Sequence, residues 1–386
     1  MATLHYHAPT GDDCFHAHWV ETHGRPIVQV CTIVFRTEVS FQETLDRLIQ
    51  RTQDFLAHHL WLPDRCTRRL LVLPSSTDVY TAVYQHATIA LLAEPDARRV
   101  VLFLNHQNVG GGDFLQFSTY VFGGEQARCN SLLPLPTPWH MLASVARAMY
   151  ALPSHPPVVG PTVCPTRRTL QTRLYYAAVD LTQFDRSVAA RKFQLVQQIL
   201  QFLFRGYDQL DELSCWLPVA FVKNTHSRTN AIGILPFRAQ CGASPMDTQQ
   251  QILANQHLAL FSYTLQGMPC PAQNMVSWAE HVRQRVDVVL SLGQCCTVST
   301  DTTGVHHAVQ HAYSGMLYEE KDTWQYPVYV LSSTFDDIAH VTISVNDAWW
   351  TEPADLGQWS PLASPFLSPP GVVYDRQYSR RDETTR

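Results

Sequence analysis

The sequence predicts an α/β protein, and three observations carry that expectation. Apolar residues make up 45% of its 386 positions and charged residues only 16%, enough to bury large cores and too little charge for a disordered chain. Runs of β-branched and aromatic residues alternate with stretches whose apolar positions recur at helical spacing. That alternation occurs twice, once on each side of a proline-rich stretch, and a chain of this length suits two domains better than one.

Taken in order, Ile27 to Phe35 (IVQVCTIVF) reads as a buried strand. Ser40 and Glu43 form a capping box, and Phe41, Leu45, Leu48, Ile49, Phe55 and Leu56 follow as one apolar helix face. Leu70–Val72 is a second strand, Tyr80–Leu92 a helix closed by Pro95, and Arg98–Leu104 (RRVVLFL) a third strand. Five prolines between Pro153 and Thr166 force extended backbone and mark the connection between the domains. Beyond it, Leu174–Val179 reads as a strand, Ala189–Leu203 as an amphipathic helix, and Val219–Val222 and Ile232–Arg238 as strands. A Gln-rich helix runs from Asp247 to about Tyr263, and Val328–Leu331 and Val341–Val345 form a hairpin through Phe335–Asp336–Asp337. The expected division is 1–152, 153–168 as linker, 169–350, and an irregular or disordered tail over 351–386, where Pro, Ser and charge take over.

Composition excludes several classes. The net charge is −5 with no basic stripe, which argues against a nucleic-acid partner. The His-rich start interrupted by Asp and Gly does not read as a signal peptide, and no stretch reaches the ~18 apolar residues that span a bilayer. The expectation is a soluble, cytoplasmic protein without a membrane span. Ten cysteines without a C-x-x-C pair read as buried free thiols, although the adjacent Cys295–Cys296 leaves a metal-ligand reading open. Cys14, His16 and His18 are close in sequence, and His307 and His311 have i, i+4 spacing on a possible helix. A zinc site needs three or four converging ligands, so no metal is expected.

The stretch that carries chemistry is Val100–Phe117 (VVLFLNHQNVGGGDFLQF), a buried strand ending in Asn105–His106, then three glycines, then a helix beginning near Asp113. A histidine at the end of a rigid strand has a defined direction, glycines beside it admit a close backbone or ligand, and a neutral imidazole accepts a proton at physiological pH. The same residues also suit a hydrogen-bonded loop with a glycine turn. A phosphate loop is excluded, since G-x-G-x-x-G spacing and a following Lys-Ser/Thr are both missing.

Here the chain resembles the coenzyme-A-dependent acyltransferase superfamily, which includes chloramphenicol acetyltransferase, dihydrolipoyl and BAHD acyltransferases and nonribosomal peptide synthetase condensation domains. Their mark is H-H-x-x-x-D-G or H-x-x-x-D-G between a strand and a helix. His106 matches the second histidine and Gly111 the final glycine, while Asn105 replaces the first histidine and Gly110 the aspartate. Leu217–Ala239, ending in Ile234–Leu235–Pro236–Phe237–Arg238, is similar to a second-lobe stretch of the family, and the resemblance spans about residues 25–350.

The resemblance implies two similar α+β sandwich lobes with a tunnel between them. It implies an acyl group moving from a coenzyme A or carrier-protein thioester to the hydroxyl or amine of a small acceptor, with His106 as general base and no tightly bound cofactor. Asn105, Gly110, Gly111 and Asp113 would shape the loop. Asp113 has two readings, a substitute for the missing anchor or a cap inside the first helical turn. Ser227, Thr229 and Asn230, in the loop before the Ile232 strand, are oxyanion or tunnel candidates that also suit ordinary loop duty. Gly110 in the aspartate position keeps a second outcome open, an inactive binding or scaffold protein of the same fold.

Overall fold

The structure, a computed structural model, describes residues 28–59, 69–74, 79, 82–83, 87–105, 109, 111–123, 137–151, 172–184, 188–207, 210–220, 232–266, 287–293, 304–317, 328–335, 338–346 and 350–362. The proline-rich connection, segment 363–386, Cys14, His16, His18 and Cys295–Cys296 lie outside the described residues. The first half gives β1 (Val28–Phe35), α1 (Phe41–Asp54), β2 (Leu70–Val72), β3 (Ile89–Glu94), β4 (Arg99–Asn105), α2 (Gly111–Gly123) and α3 (Pro138–Ala151). The second gives β5 (Thr172–Asp180), α4 (Val188–Gly206), β6 (Glu212–Ala220), β7 (Ile232–Gln240), α5 (Pro245–Ala254), α6 (Gln256–Gln266) and β8 (Val288–Leu292). It closes with β9 (Val309–Leu317), β10 (Val328–Phe335), β11 (Ile338–Asn346) and β12 (Ser360–Leu362).

Two mixed sheets organise these elements. Among the described residues the first has the order β2-β3-β4-β1-β9 and the second β12-β5-β11-β10-β8-β6-β7. Strand β9, from the second half of the chain, pairs antiparallel with β1, placing Leu317 opposite Val28 and Ser314 opposite Cys31. The sheets meet there. Thr342 Oγ1 of β11 donates to the Ser314 carbonyl at 3.2 Å, and Val34 of β1 packs against Tyr176 of β5.

The first sheet is buried on both faces, which is why β1 and β4 read as continuous apolar runs. Cys31, Ile33, Phe35, Leu102 and Leu104 pack with Leu45, Leu48 and Phe55 from the α1 region and Phe117 and Val121 of α2. Val28, Val30, Val101 and Phe103 face Leu73, Val79, Ala82 and Val83 on the other side. Helix α1 starts where Ser40 Oγ accepts the Glu43 backbone N–H at 3.4 Å, the hydroxyl half of the expected box. A complete capping box opens α5, where Ser244 and Asp247 satisfy each other's backbone N–H groups and hold the Asp247 carboxyl below its ordinary range.

Several expectations need correction. Residues 89–92, expected at the end of a helix, lie in β3, because Ile89, Leu91 and Leu92 fill core positions opposite Leu104, Leu102 and Val101. Pro95–Arg98 is the turn of the β3–β4 hairpin. Arg98 sits at φ 48, and its guanidinium donates to the carbonyls of Arg36 and Val39. Strand β6 begins at Glu212, seven residues before the expected Val219, with the Ser214 N–H held by the Asp287 carboxylate at 2.8 Å. The Gln-rich helix breaks at Asn255 into α5 and α6, and Asn255 Nδ2 donates to Pro236 O at 3.0 Å. His306–Ala308 is a single 3-10 turn running into β9, so His307 and His311 do not share a helix face. Cys31 and Cys215 are buried thiols as expected, whereas Cys241 is exposed.

The expected irregular tail also needs correction, since residues 350–362 are built into the second lobe. Strand β12 pairs with β5. Trp350 lies against Tyr175 and Phe202 and donates its indole N–H to Leu203 O at 3.0 Å, while Trp359 stacks on Phe202 with centroids 4.8 Å apart. Tyr175 donates to Glu352 at 2.5 Å and Arg173 to the same oxygen at 3.1 Å. These contacts lower the Glu352 carboxyl below its ordinary value, the tyrosine hydrogen bond first, and burial raises the Tyr175 phenol.

Candidate functional site

Strand β4 ends in Asn105, whose side chain is 4% exposed. Its backbone N–H donates to Thr88 O at 3.0 Å, and it stands opposite Val28 of β1. The Val109 N–H donates back to Asn105 O at 2.8 Å, and the Val109 side chain is fully buried in the core beneath α1 and α2. Helix α2 begins at Gly111 and carries Asp113 in its first turn. Asp113 is only 3% exposed. A carboxylate so buried requires polar partners, and Asp113 is engaged by such interactions, at the helix end where the backbone dipole favours negative charge.

The stretch that carries the candidate chemistry is thus held at three described points, Asn105, Val109 and Asp113. Of the sequence-predicted site residues, the structure places Asn105, Gly111 and Asp113 along this path. His106 and Gly110 lie outside the described residues, as do Ser227, Thr229 and Asn230 between β6 and β7.

Two polar arrangements escaped the sequence reading. The first fastens the far end of α2. Tyr120 donates its hydroxyl to Asp54 Oδ2, and the other carboxylate oxygen accepts His58 Nδ1 at 2.9 Å. Arg51 Nη2 donates to Tyr120 O at 3.1 Å, with the guanidinium 4.0 Å from the Tyr120 ring centroid. Asp54, His58 and His59 belong to the end of α1 and the π-helical turn Phe55–His59 that extends it, and such turns recur at functional sites. Its visible signal was the Asp54/His58 i, i+4 pair. The second is a polar face on the second sheet. The Tyr176 hydroxyl and His340 Nδ1 are 2.8 Å apart, with Ser333 opposite His340 and Thr342 opposite Tyr176, all buried. The alternation of His340, Thr342 and Ser344 with Val341, Ile343 and Val345 was the readable signal.

Cys215 is the wrong group for nucleophilic work. Full burial, and then the nearby Asp287 charge, push its thiol well above the ordinary range and keep it protonated. Among the described residues no three His, Cys, Asp or Glu side chains are grouped to hold a metal ion, and no helix is long and apolar enough to cross a membrane.

No protein-family model matches the chain, and a search of curated proteins finds no match. Solved structures do resemble it. A chain of the nonribosomal peptide synthetase FmoA3 superposes with a TM-score of 0.51 at 13% identity, over 89% of this chain and 40% of that one. Polyketide synthase associated protein 5 from Mycobacterium tuberculosis gives a TM-score of 0.48 at 14% identity, covering 90% and 96% of the two chains. A mutant starter condensation domain of rhizomide synthetase, crystallised with C8-CoA and Leu-SNAC, gives 0.48 at 12% identity, covering 88% of each. The first of these likenesses, at this identity, is one of fold: two mixed sheets with helices, as expected from the sequence.

Proposed function

We propose that the chain transfers an acyl group from a thioester, carried by coenzyme A or a carrier protein, to the hydroxyl or amine of a small acceptor, with His106 as general base. The observation that supports this reading is the hydrogen bond from the Val109 N–H to Asn105 O, between the two described residues that flank His106. His106 directly follows a buried strand-end residue, and within four residues Val109 is tied back to that strand end, before a helix with a buried acid in its first turn. That is the strand, histidine segment and helix order of the superfamily this sequence resembles, and the fold likeness supports it.

In the proposed step, the imidazole of His106 takes the proton of the acceptor as its oxygen or nitrogen attacks the thioester carbonyl. The carbonyl becomes a tetrahedral oxyanion, which collapses by expelling the thiolate, and the thiolate leaves with that proton. Ser227, Thr229 and Asn230 are the proposed oxyanion or tunnel donors, a role in which one donor is typically worth about 3–4 kcal/mol. Asn105, Gly110, Gly111 and Asp113 shape the loop, and burial of Asp113 supports its reading as a substitute for the anchor missing at Gly110.

The test is release of free thiol from acetyl- or octanoyl-coenzyme A in the presence of a panel of small amines and alcohols. His106→Ala should lower turnover by roughly 10²–10⁴-fold. Full turnover in that variant ends the proposal. Gly110 in the acid position motivates a second reading, a binding or scaffold protein without turnover. It predicts no thiol release from the wild-type chain and no thermal stabilisation by acetyl-coenzyme A, whereas a genuine substrate stabilises by mass action.

A further inference from the structure

Helix α2 is held at both ends by different means. At its start are Val109, hydrogen-bonded to Asn105 O, and the buried Asp113. Towards its far end, Tyr120 is gripped by Asp54 and Arg51, and one turn earlier Phe117 meets Phe55 edge-on with ring centroids 5.3 Å apart. Tyr120 also lies 5.9 Å from Phe55 and 4.3 Å from His59, centroid to centroid. The gripping groups all come from the last turn of α1 and its π-helical extension.

These contacts are directional. The Asp54 carboxylate is used on both oxygens, by a buried phenol on one side and by His58 on the other. Arg51 reaches the Tyr120 carbonyl near the helix C-terminus, where a cation complements the backbone dipole. A purely apolar contact would let α2 slide along its axis at modest cost, whereas hydrogen bonds to one phenol and one carbonyl fix its axial position and rotation. A rigid helix passes that constraint to its first residue, Gly111, and so towards Val109, which is tied to the end of β4.

We infer that Asp54 and Tyr120 are positioning residues for the reaction proposed above, on which this inference rests, because they set where Val109 and Gly111 stand. His58 is the exposed outer end of the chain of hydrogen bonds and should be dispensable.

The experiment uses the full chain labelled with 15N-valine and 15N-glycine, as wild type and as Tyr120→Phe, Asp54→Asn and His58→Gln. Tyr120→Phe keeps the ring and removes only the hydroxyl, and Asp54→Asn is a second route to the same break. The amide resonances of Val109 and Gly111 are expected to move in both variants and to stay in place in His58→Gln. Thiol release from octanoyl-coenzyme A should fall on the order of tenfold to a hundredfold in kcat with KM held. Unmoved Val109 and Gly111 resonances in both variants would overturn the inference, as would an unchanged kcat or a loss confined to thermal stability. If the wild-type chain releases no thiol, the proposed reaction fails, and the resonances alone then decide whether the far end of α2 sets the position of Val109 and Gly111.

Discussion

The two sheets solve the same burial problem differently. The first is wrapped on both faces by apolar side chains, with α1 and α2 on one side and Leu73, Val79, Ala82 and Val83 on the other. The second packs α4, α5 and α6 over one apolar face that holds Tyr175, Val179, Leu213, Val330 and Val341, whereas its other face mixes Trp216, Val289 and Leu331 with polar side chains. That mixed face carries Tyr176, Ser333, His340, Thr342 and Ser344, and these polar residues are buried too. An alternating strand pattern ordinarily announces a solvated face. Here part of it faces the first sheet, through Val34 on Tyr176 and Thr342 on the Ser314 carbonyl. Polarity in a strand therefore marked the seam between lobes instead of the outside.

The comparison can be broken or sharpened by substitution. The largest effect should come from Phe103→Ala in the doubly covered sheet, since Phe103 is fully buried and its loss leaves a cavity worth about 3–5 kcal/mol in chemical denaturation. Next is Gly206→Ala. A Cβ there would enter the Trp350 ring and press on the Thr351 carbonyl, so the variant should lose about 1–3 kcal/mol as the 350–362 segment is displaced. Trp fluorescence would follow that displacement; an unperturbed spectrum and midpoint would show that the segment is not fixed there. Tyr176→Phe on the polar face should cost about 1–2 kcal/mol, by removing one partner of buried His340. A loss as large as that of Phe103→Ala would erase the distinction between the faces.

The smallest effect is pH-dependent. Glu352 has its folded pKa lowered by Tyr175 and Arg173 from an ordinary 4.5, so its contribution is present above that value and lost as pH falls through the folded pKa. The difference in Tm between wild type and Glu352→Gln should therefore be small at pH 7 and shrink further below about pH 4.5. A difference that grows on acidification would contradict the assigned role.

How much of this was legible follows from the same contrast. Strands β1 and β4 stood out because burial on both faces makes a run of apolar residues with no gaps. Ile89–Glu94 did not, because IALLAE consists of residues that helices also favour and a six-residue run is too short for period to decide. The break at Asn255 was hidden because it depends on a hydrogen bond to Pro236, far off in sequence. The ordered 350–362 segment was obscured by its Pro and Ser content, although Trp350 and Trp359 were the signal of a buried attachment. At the candidate site, the strand end and the helix start were readable from the sequence. The Tyr120–Asp54 contact was not, since nothing local pairs two residues 66 positions apart.

Strand β9 has a consequence for how the chain comes into being. Val28–Phe35 is synthesised long before one of its two neighbours, Val309–Leu317, which follows four strands of the second sheet. The first lobe is therefore left with an open edge until that strand has been made. Severing the protein at its proline-rich connection would give a leading fragment that exposes β1 for pairing with any strand available. Such distant pairing slows folding and lengthens the interval of risk, so a trailing fragment supplied in trans should rescue the leading one from aggregation.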